Sequence, residues 1–318
     1  MDKGRSAIRS PGPRADVMLR RVLHEPTTMT ITVHPITPTV GAEVRGVSVP
    51  DLTSEQFDEV FAAFVEHGVI FLRDQPALTP DQHLAFAGRF GEIHVHPASR
   101  GVPAEYPGLM RMRTHRESRV AAGNRWHSDV SCDEEPLQAS ILQLHEVPEI
   151  GGDTLFSSLY AAYDALSDRM KEMLDGLTAL HSGEEPFRRT FQFRNTEGDG
   201  WPENDHPIVR LHPDSGRPLL FVDREFTHSI NDLPKEEGRA LLEFLFDHSE
   251  RVAFQCRFTW SRNAIAIWDN RCVLHHAMWD YWPAERRGHR VSVKGERPQM
   301  YRRGSDAHEP QSNVRLSL

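Results

Sequence analysis

Between residues 30 and 294 the chain breaks into short apolar or alternating segments, at 30–36, 68–73, 109–113, 140–144, 208–211, 219–222, 252–260, 264–268 and 290–294. Each has the length and composition of a strand. Turn formers punctuate them, notably Gly151-Gly152-Asp153, Asp214-Ser215-Gly216 and Ser261-Arg262-Asn263. That pattern predicts an antiparallel sandwich or barrel. Helices are fewer. Thr53 is placed to cap a helix over 54–66 with Phe57, Val60, Phe61, Phe64 and Val65 at helical spacing. Thr79 precedes a second over 80–90, and further helices are expected at 159–177 and 234–247, where Leu241, Leu242 and Leu245 share a face. They would buttress the sheet. Two stretches, 97–125 and 182–206, are rich in Gly, Pro and charge, and loops of that length are commonly lids.

No repeat or linker divides the body, so one catalytic-sized domain is expected over 29–300, between polar tails at 1–28 and 301–318. A net charge of −9 argues against a nucleic-acid partner, which would need a concentrated basic face. Cys132, Cys256 and Cys272 form no CxxC pair, so neither a disulfide framework nor a thiolate zinc site is suggested. No apolar run is long enough to span a membrane and no signal-peptide core opens the chain, which together predict a cytoplasmic protein.

With 18 histidines in the chain, only spacing can single one out. In Trp126-His127-Ser128-Asp129 two ligand types stand two residues apart, an arrangement that on a strand or extended turn aims both to one side. An imidazole and a carboxylate, completed by a distant His, make the two-His-one-carboxylate face that suits iron(II) and leaves positions open for oxygen and substrate. The third ligand is offered by His275-His276; neighbours on a strand face opposite ways, so one of the pair reaches the metal and spacing leaves open which. Beyond lie Arg286 and Arg290, four apart before a strand-like segment and so on one face, as suits the anchoring of anions.

Trp126-His127-Ser128-Asp129-Val130, Gly151-Gly152-Asp153-Thr154, Trp268-Asp269-Asn270-Arg271 with His275, then Arg286 and Arg290, together resemble the taurine dioxygenase/TfdA family. Phe71-Leu72-Arg73-Asp74-Gln75 and Arg89-Phe90-Gly91-Glu92 extend the likeness, which runs over about 31–298. The resemblance implies a mainly β fold with flanking helices and a double-stranded β-helix (jelly-roll, cupin-like) core. It implies an Fe(II)- and 2-oxoglutarate-dependent dioxygenase that uses O2 to hydroxylate a small anionic substrate while 2-oxoglutarate becomes succinate and carbon dioxide. C–S or C–O cleavage follows where the hydroxylated carbon bears a sulfonate, sulfate or ether oxygen.

By the same resemblance His127, Asp129 and His275 are the iron ligands, with His276 packing elsewhere. Thr154 and Arg286 hold the distal carboxylate of 2-oxoglutarate, and His96, Val130 and Arg290 contact substrate. The resemblance also leaves room for a homo-oligomer, dimer or tetramer. Where the taurine enzymes have Tyr and Asn near the site, this chain has Ser99 and Gly123, and Cys132 replaces an aromatic, so taurine itself is not assumed. A cupin-like metal-dependent binding protein without oxygenase activity would keep the three ligands without the anchors at Thr154 and Arg286. A halogenase would need the Asp129 position open.

Overall fold

Val69–Leu72 is apolar at every position, the pattern of a strand covered on both faces. Alternation then divides the four side chains. Val69 and Phe71 enter one core with Phe156, Phe258 and Trp268, while Ile70 and Leu72 enter another with Phe64, Phe90, Ile141 and Ile267. The computed structural model describes residues 30–95, 105–191 and 200–304. The expected N-terminal tail, most of the C-terminal one, His96 and Ser99 lie outside them. From Ile31 onward the chain clusters as one unit.

The strand lies within an eight-stranded sheet whose order is Thr32–Pro35, Ala42–Arg45, Val69–Leu72, Ile265–Asp269, Leu137–Glu146, Arg286–Lys294 and Ile93–His94. Leu109–Thr114 also pairs with Arg286–Lys294. All these pairings are antiparallel except that of Ala42–Arg45 with Val69–Leu72. Against the sheet packs a three-stranded one of Gln255–Phe258, Thr154–Ser158 and Val273–Ala277. The Phe71 ring stacks on Phe258 across that core at 3.9 Å. Two sheets so closed form the jelly-roll core that the strand pattern and the resemblance lead one to expect.

The sheet's other face is covered by helices whose starts are written in the sequence. Thr53 and Gln56 close a capping box on Ser54–His67, and Gly68 ends it at φ 69°. Thr79 and Gln82 repeat the box on Pro80–Ala87. Lys235–Ser249 stands where the fourth helix is expected. Three expectations change. The helix expected at 159–177 divides into Leu159–Asp164 and Asp168–Leu174, because Ser167 caps a second start. Val252–Phe254 is a 3-10 turn ahead of the strand Gln255–Phe258. The stretch 182–206 carries a helix, Glu184–Phe191, and a strand, Glu203–Pro207. Among the described residues no helix is long and apolar enough to cross a membrane.

Candidate active site

His127 and His275 meet through one antiparallel bridge. His127 N donates to His275 O at 3.2 Å and His275 N to His127 O at 2.9 Å, which sets the two rings side by side with centroids 4.0 Å apart. Two residues on, Asp129 turns back toward them. Its Oδ1 is 3.6 Å from His127 Nε2 and 3.8 Å from His275 Nε2. The turn passes through Val130 at φ 52°, a left-handed conformation that costs a β-branched residue on the order of 1–3 kcal/mol and marks a site the surroundings over-determine. The His127-x-Asp129 spacing therefore does bring its two side chains to one place, joined there by His275. His276, its neighbour on Val273–Ala277, instead meets the edge of the Trp126 ring at 5.5 Å.

The donor set fits an iron(II) ion. One ligand atom from each residue lies within 4.8 Å of the others, all three residues are buried, and two imidazoles with one carboxylate suit that metal. Partners behind the ligands fix their direction. His127 Nδ1 lies 2.8 Å from Arg125 O, so it carries the proton and leaves Nε2 facing Asp129. Ser140 Oγ donates to Asp129 Oδ2 at 2.8 Å. Burial alone would raise the Asp129 carboxyl, but the Arg290 guanidinium beside it holds it well below the usual carboxylate range. Burial and the neighbouring His127 push His275 well down, so it stays neutral, as a ligand must be.

These residues line a cavity of about 630 Å³, and Thr154, Arg286 and Arg290 open onto the same space. Arg286 and Arg290 are both buried on one face of Arg286–Lys294, whereas Arg287 between them points outward. Arg286 has no carboxylate partner among the described residues. Its Nη2 donates to Thr154 Oγ1 at 3.4 Å, its Nε has no partner, and burial lowers its pKa. Thr154 Oγ1 also accepts from Trp260 Nε1 at 3.0 Å, which leaves the hydroxyl proton free to donate. Arg290 Nη1 lies 2.8 Å from Asp129 Oδ1, so in this structure its anionic partner is that carboxylate.

Gly123 has φ +82°, and a Cβ there would stand 3.4 Å from His127 Cε1, so glycine fits where the chain passes close over that ring. Cys132 is fully buried with Leu137, Phe187 and Phe226. Sequence reasoning missed part of the wall. Phe187 and Arg189, from the helix Glu184–Phe191, and Glu225 line the cavity, with Arg189 and Glu225 ion-paired. Buried Asp223 accepts from the backbone N–H groups of Glu225 and Phe226 and so shapes this wall.

A second cluster of similar make-up, His212, Asp269 and Cys272, lies fully buried. Arg271 fills it. Its backbone N–H and Nε donate to Asp269 Oδ1 at 2.9 Å each, and its Nη2 to Oδ2 at 2.7 Å, while His212 Nε2 stands 3.0 Å from Oδ2.

A jelly-roll core with a two-His-one-carboxylate face inside a cavity defines the class of mononuclear metal dioxygenases. The chain belongs to the taurine catabolism dioxygenase TauD, TfdA family, whose profile matches residues 32–292. It is 33% identical to the alpha-ketoglutarate-dependent sulfate ester dioxygenase of Pseudomonas putida, over 86% of this chain and 92% of that one. It is 31% identical to the alpha-ketoglutarate-dependent sulfonate dioxygenase of Saccharomyces cerevisiae, over 91% of this chain and 73% of that one. A crystal structure of a taurine dioxygenase from Burkholderia xenovorans superposes with a TM-score of 0.72 at 32% identity, covering 84% of this chain and 92% of its own.

Proposed function

We propose that this chain is an Fe(II)- and 2-oxoglutarate-dependent dioxygenase that hydroxylates a small anionic organic substrate. His127, Asp129 and His275 hold the metal. The observation that carries the reading is Arg286, a buried guanidinium without a carboxylate, in the same cavity as the three ligands. A buried charge without a counter-charge is costly unless a ligand supplies one. The distal carboxylate of 2-oxoglutarate does so, accepting from the Arg286 fork and from the Thr154 hydroxyl. A binding protein without oxygenase activity has no use for that pair.

Iron(II), when bound, supplies the O2 chemistry by which 2-oxoglutarate, O2 and a C–H bond give succinate, carbon dioxide and an alcohol. The chain's share is position and environment. Arg125 O fixes the His127 tautomer, and Arg286 with Thr154 fixes the cosubstrate. Met110, Met112, Phe187 and Phe226 on the wall exclude water. Arg111, Arg125 and Arg290 also line the cavity and favour an anion. Val130, and His96 outside the described residues, complete the substrate contacts. A sulfonate or a sulfate ester fits this charge, in keeping with the names of the two relatives, and an aryloxy carboxylate presents the same charge. Three free, buried thiols suit the reducing cytoplasm.

The test is substrate-dependent succinate formation in air with added iron(II), scored over a panel of those three anion classes. A metal-loaded protein that fails to bind 2-oxoglutarate by calorimetry would sink the reading.

A further inference from the structure

Behind Asp129 stands a chain of buried hydrogen bonds whose direction can be read without ambiguity. Trp268 Nε1 lies 2.9 Å from Asn270 Oδ1, Asn270 Nδ2 lies 3.0 Å from Ser140 Oγ, and Ser140 Oγ lies 2.8 Å from Asp129 Oδ2. An indole N–H can only donate, so the amide oxygen of Asn270 faces Trp268 and its NH2 faces Ser140. The Ser140 oxygen accepts that N–H, and its single proton goes to the carboxylate, which can only accept. The Asn270 oxygen also accepts from Asp129 N at 3.3 Å, and Ser128 Oγ donates to Asn270 O at 2.6 Å. Trp268, Asn270 and Ser140 are all buried, and Trp268 and Ser140 are cross-strand partners in the large sheet. Two members of the relay thus stand on paired strands, and Asn270 stands on the turn that leaves the strand Ile265–Asp269.

We infer that Trp268, Asn270 and Ser140 are positioning residues that keep Asp129 a one-oxygen ligand. Ser140 holds Oδ2, so Oδ1, which also accepts from Arg290, is the one oxygen turned to the two imidazoles. A carboxylate that lent both oxygens to the metal would take up a position that the keto-acid chelate of 2-oxoglutarate needs. The relay therefore serves cosubstrate binding, through Asp129, without touching the cosubstrate.

The inference rests on the metal assignment, and Mn(II) serves as a probe that needs no turnover. With Mn(II) saturating, Ser140→Ala is expected to weaken 2-oxoglutarate binding about tenfold by calorimetry and to change the Mn(II) electron paramagnetic resonance spectrum. Ser140→Thr, which keeps the hydroxyl, restores both. Ser140→Cys, near the size of serine with only a weak donor, carries the same comparison if alanine unsettles the barrel. A Ser140→Ala protein with wild-type 2-oxoglutarate affinity and an unchanged spectrum overturns the inference. His127→Ala separates the two failures, since its retention of Mn(II) would overturn the metal assignment itself.

Discussion

The two buried clusters, His127-Asp129-His275 and His212-Asp269-Cys272, share their chemistry and differ in what has been left over. At Asp269 both carboxylate oxygens are taken, by Arg271 and His212, within the packed core. At Asp129 one oxygen is held by Ser140 and the other by Arg290 alone, from one side, while it also faces two imidazoles across a cavity, and among the described residues His275 Nδ1 has no partner. A buried acid must be neutralised, and whether a protein cation does so from every side decides between a structural ion pair and a binding site. The residue triplet itself decides nothing.

The difference is broken or sharpened most strongly by a pair of alanine variants. His127→Ala is expected to abolish succinate formation, by at least about three orders of magnitude as metal assistance is lost, while the thermal midpoint barely moves. Asp269→Ala should do the reverse, stripping Arg271 of its fully buried partner and leaving it only Asp214 and Glu296 nearer the surface, at a cost of about 3 kcal/mol in denaturant unfolding. If Asp269→Ala instead depletes metal while the fold holds, the two clusters are not different in kind.

Acid should act next, on buried histidines outside both clusters. His83 is pushed down to about 4, first by burial and then by the nearby His289 and His145, against an ordinary value of 6.5. His181, His206 and His248 are lowered too, each chiefly by burial. Below about pH 6.5 the unfolded chain therefore binds protons that the folded one refuses, and stability falls as pH falls; His83 alone accounts for on the order of 3 kcal/mol by about pH 4. Burial would raise Asp269, but Arg271 and His212 hold it below the ordinary 3.8, so its contribution persists until pH drops beneath that value. A stability curve flat from neutrality down to about pH 4 would contradict the histidine account.

Arg286→Ala should weaken 2-oxoglutarate by about 1.5–3 kcal/mol, roughly tenfold to a hundredfold in KM, with a smaller change in kcat at saturation. The smallest effect belongs to Cys272→Ala, about 1 kcal/mol of stability with metal content unchanged.

Much of this was legible in the residues. Each of the expected strands exists, because a buried apolar run such as 264–268, or alternation elsewhere, leaves a mark in one segment alone. The strands that escaped notice, among them Thr178–Ser182, Thr227–Ile230 and Val273–Ala277, turn His181, Thr227 and His275 inward, the first two onto hydrogen-bond partners elsewhere in the chain and the third into the cavity. Polar residues so placed erase the alternation. Spacing reached His127 and Asp129, and the resemblance chose His275 over His276; strand alternation explains why only one of that pair could arrive. The roles of Ser140 and Asn270 behind Asp129 stayed hidden because the contacts that join the three are far apart in the chain, and the cavity wall at Arg189 and Glu225 because a helix stands within what reads as loop.

The bridge between His127 and His275 has a meaning in time as well as in space. A chain still lacking Val273–Ala277 owns two of the three donors, and His127 lacks the backbone partner that sets a second ring beside its own. On the metal assignment proposed above, the site comes into being only when a late strand closes against an earlier turn, and a protein truncated before Val273 is expected to hold no metal. Metal loading would then report that the barrel has been finished.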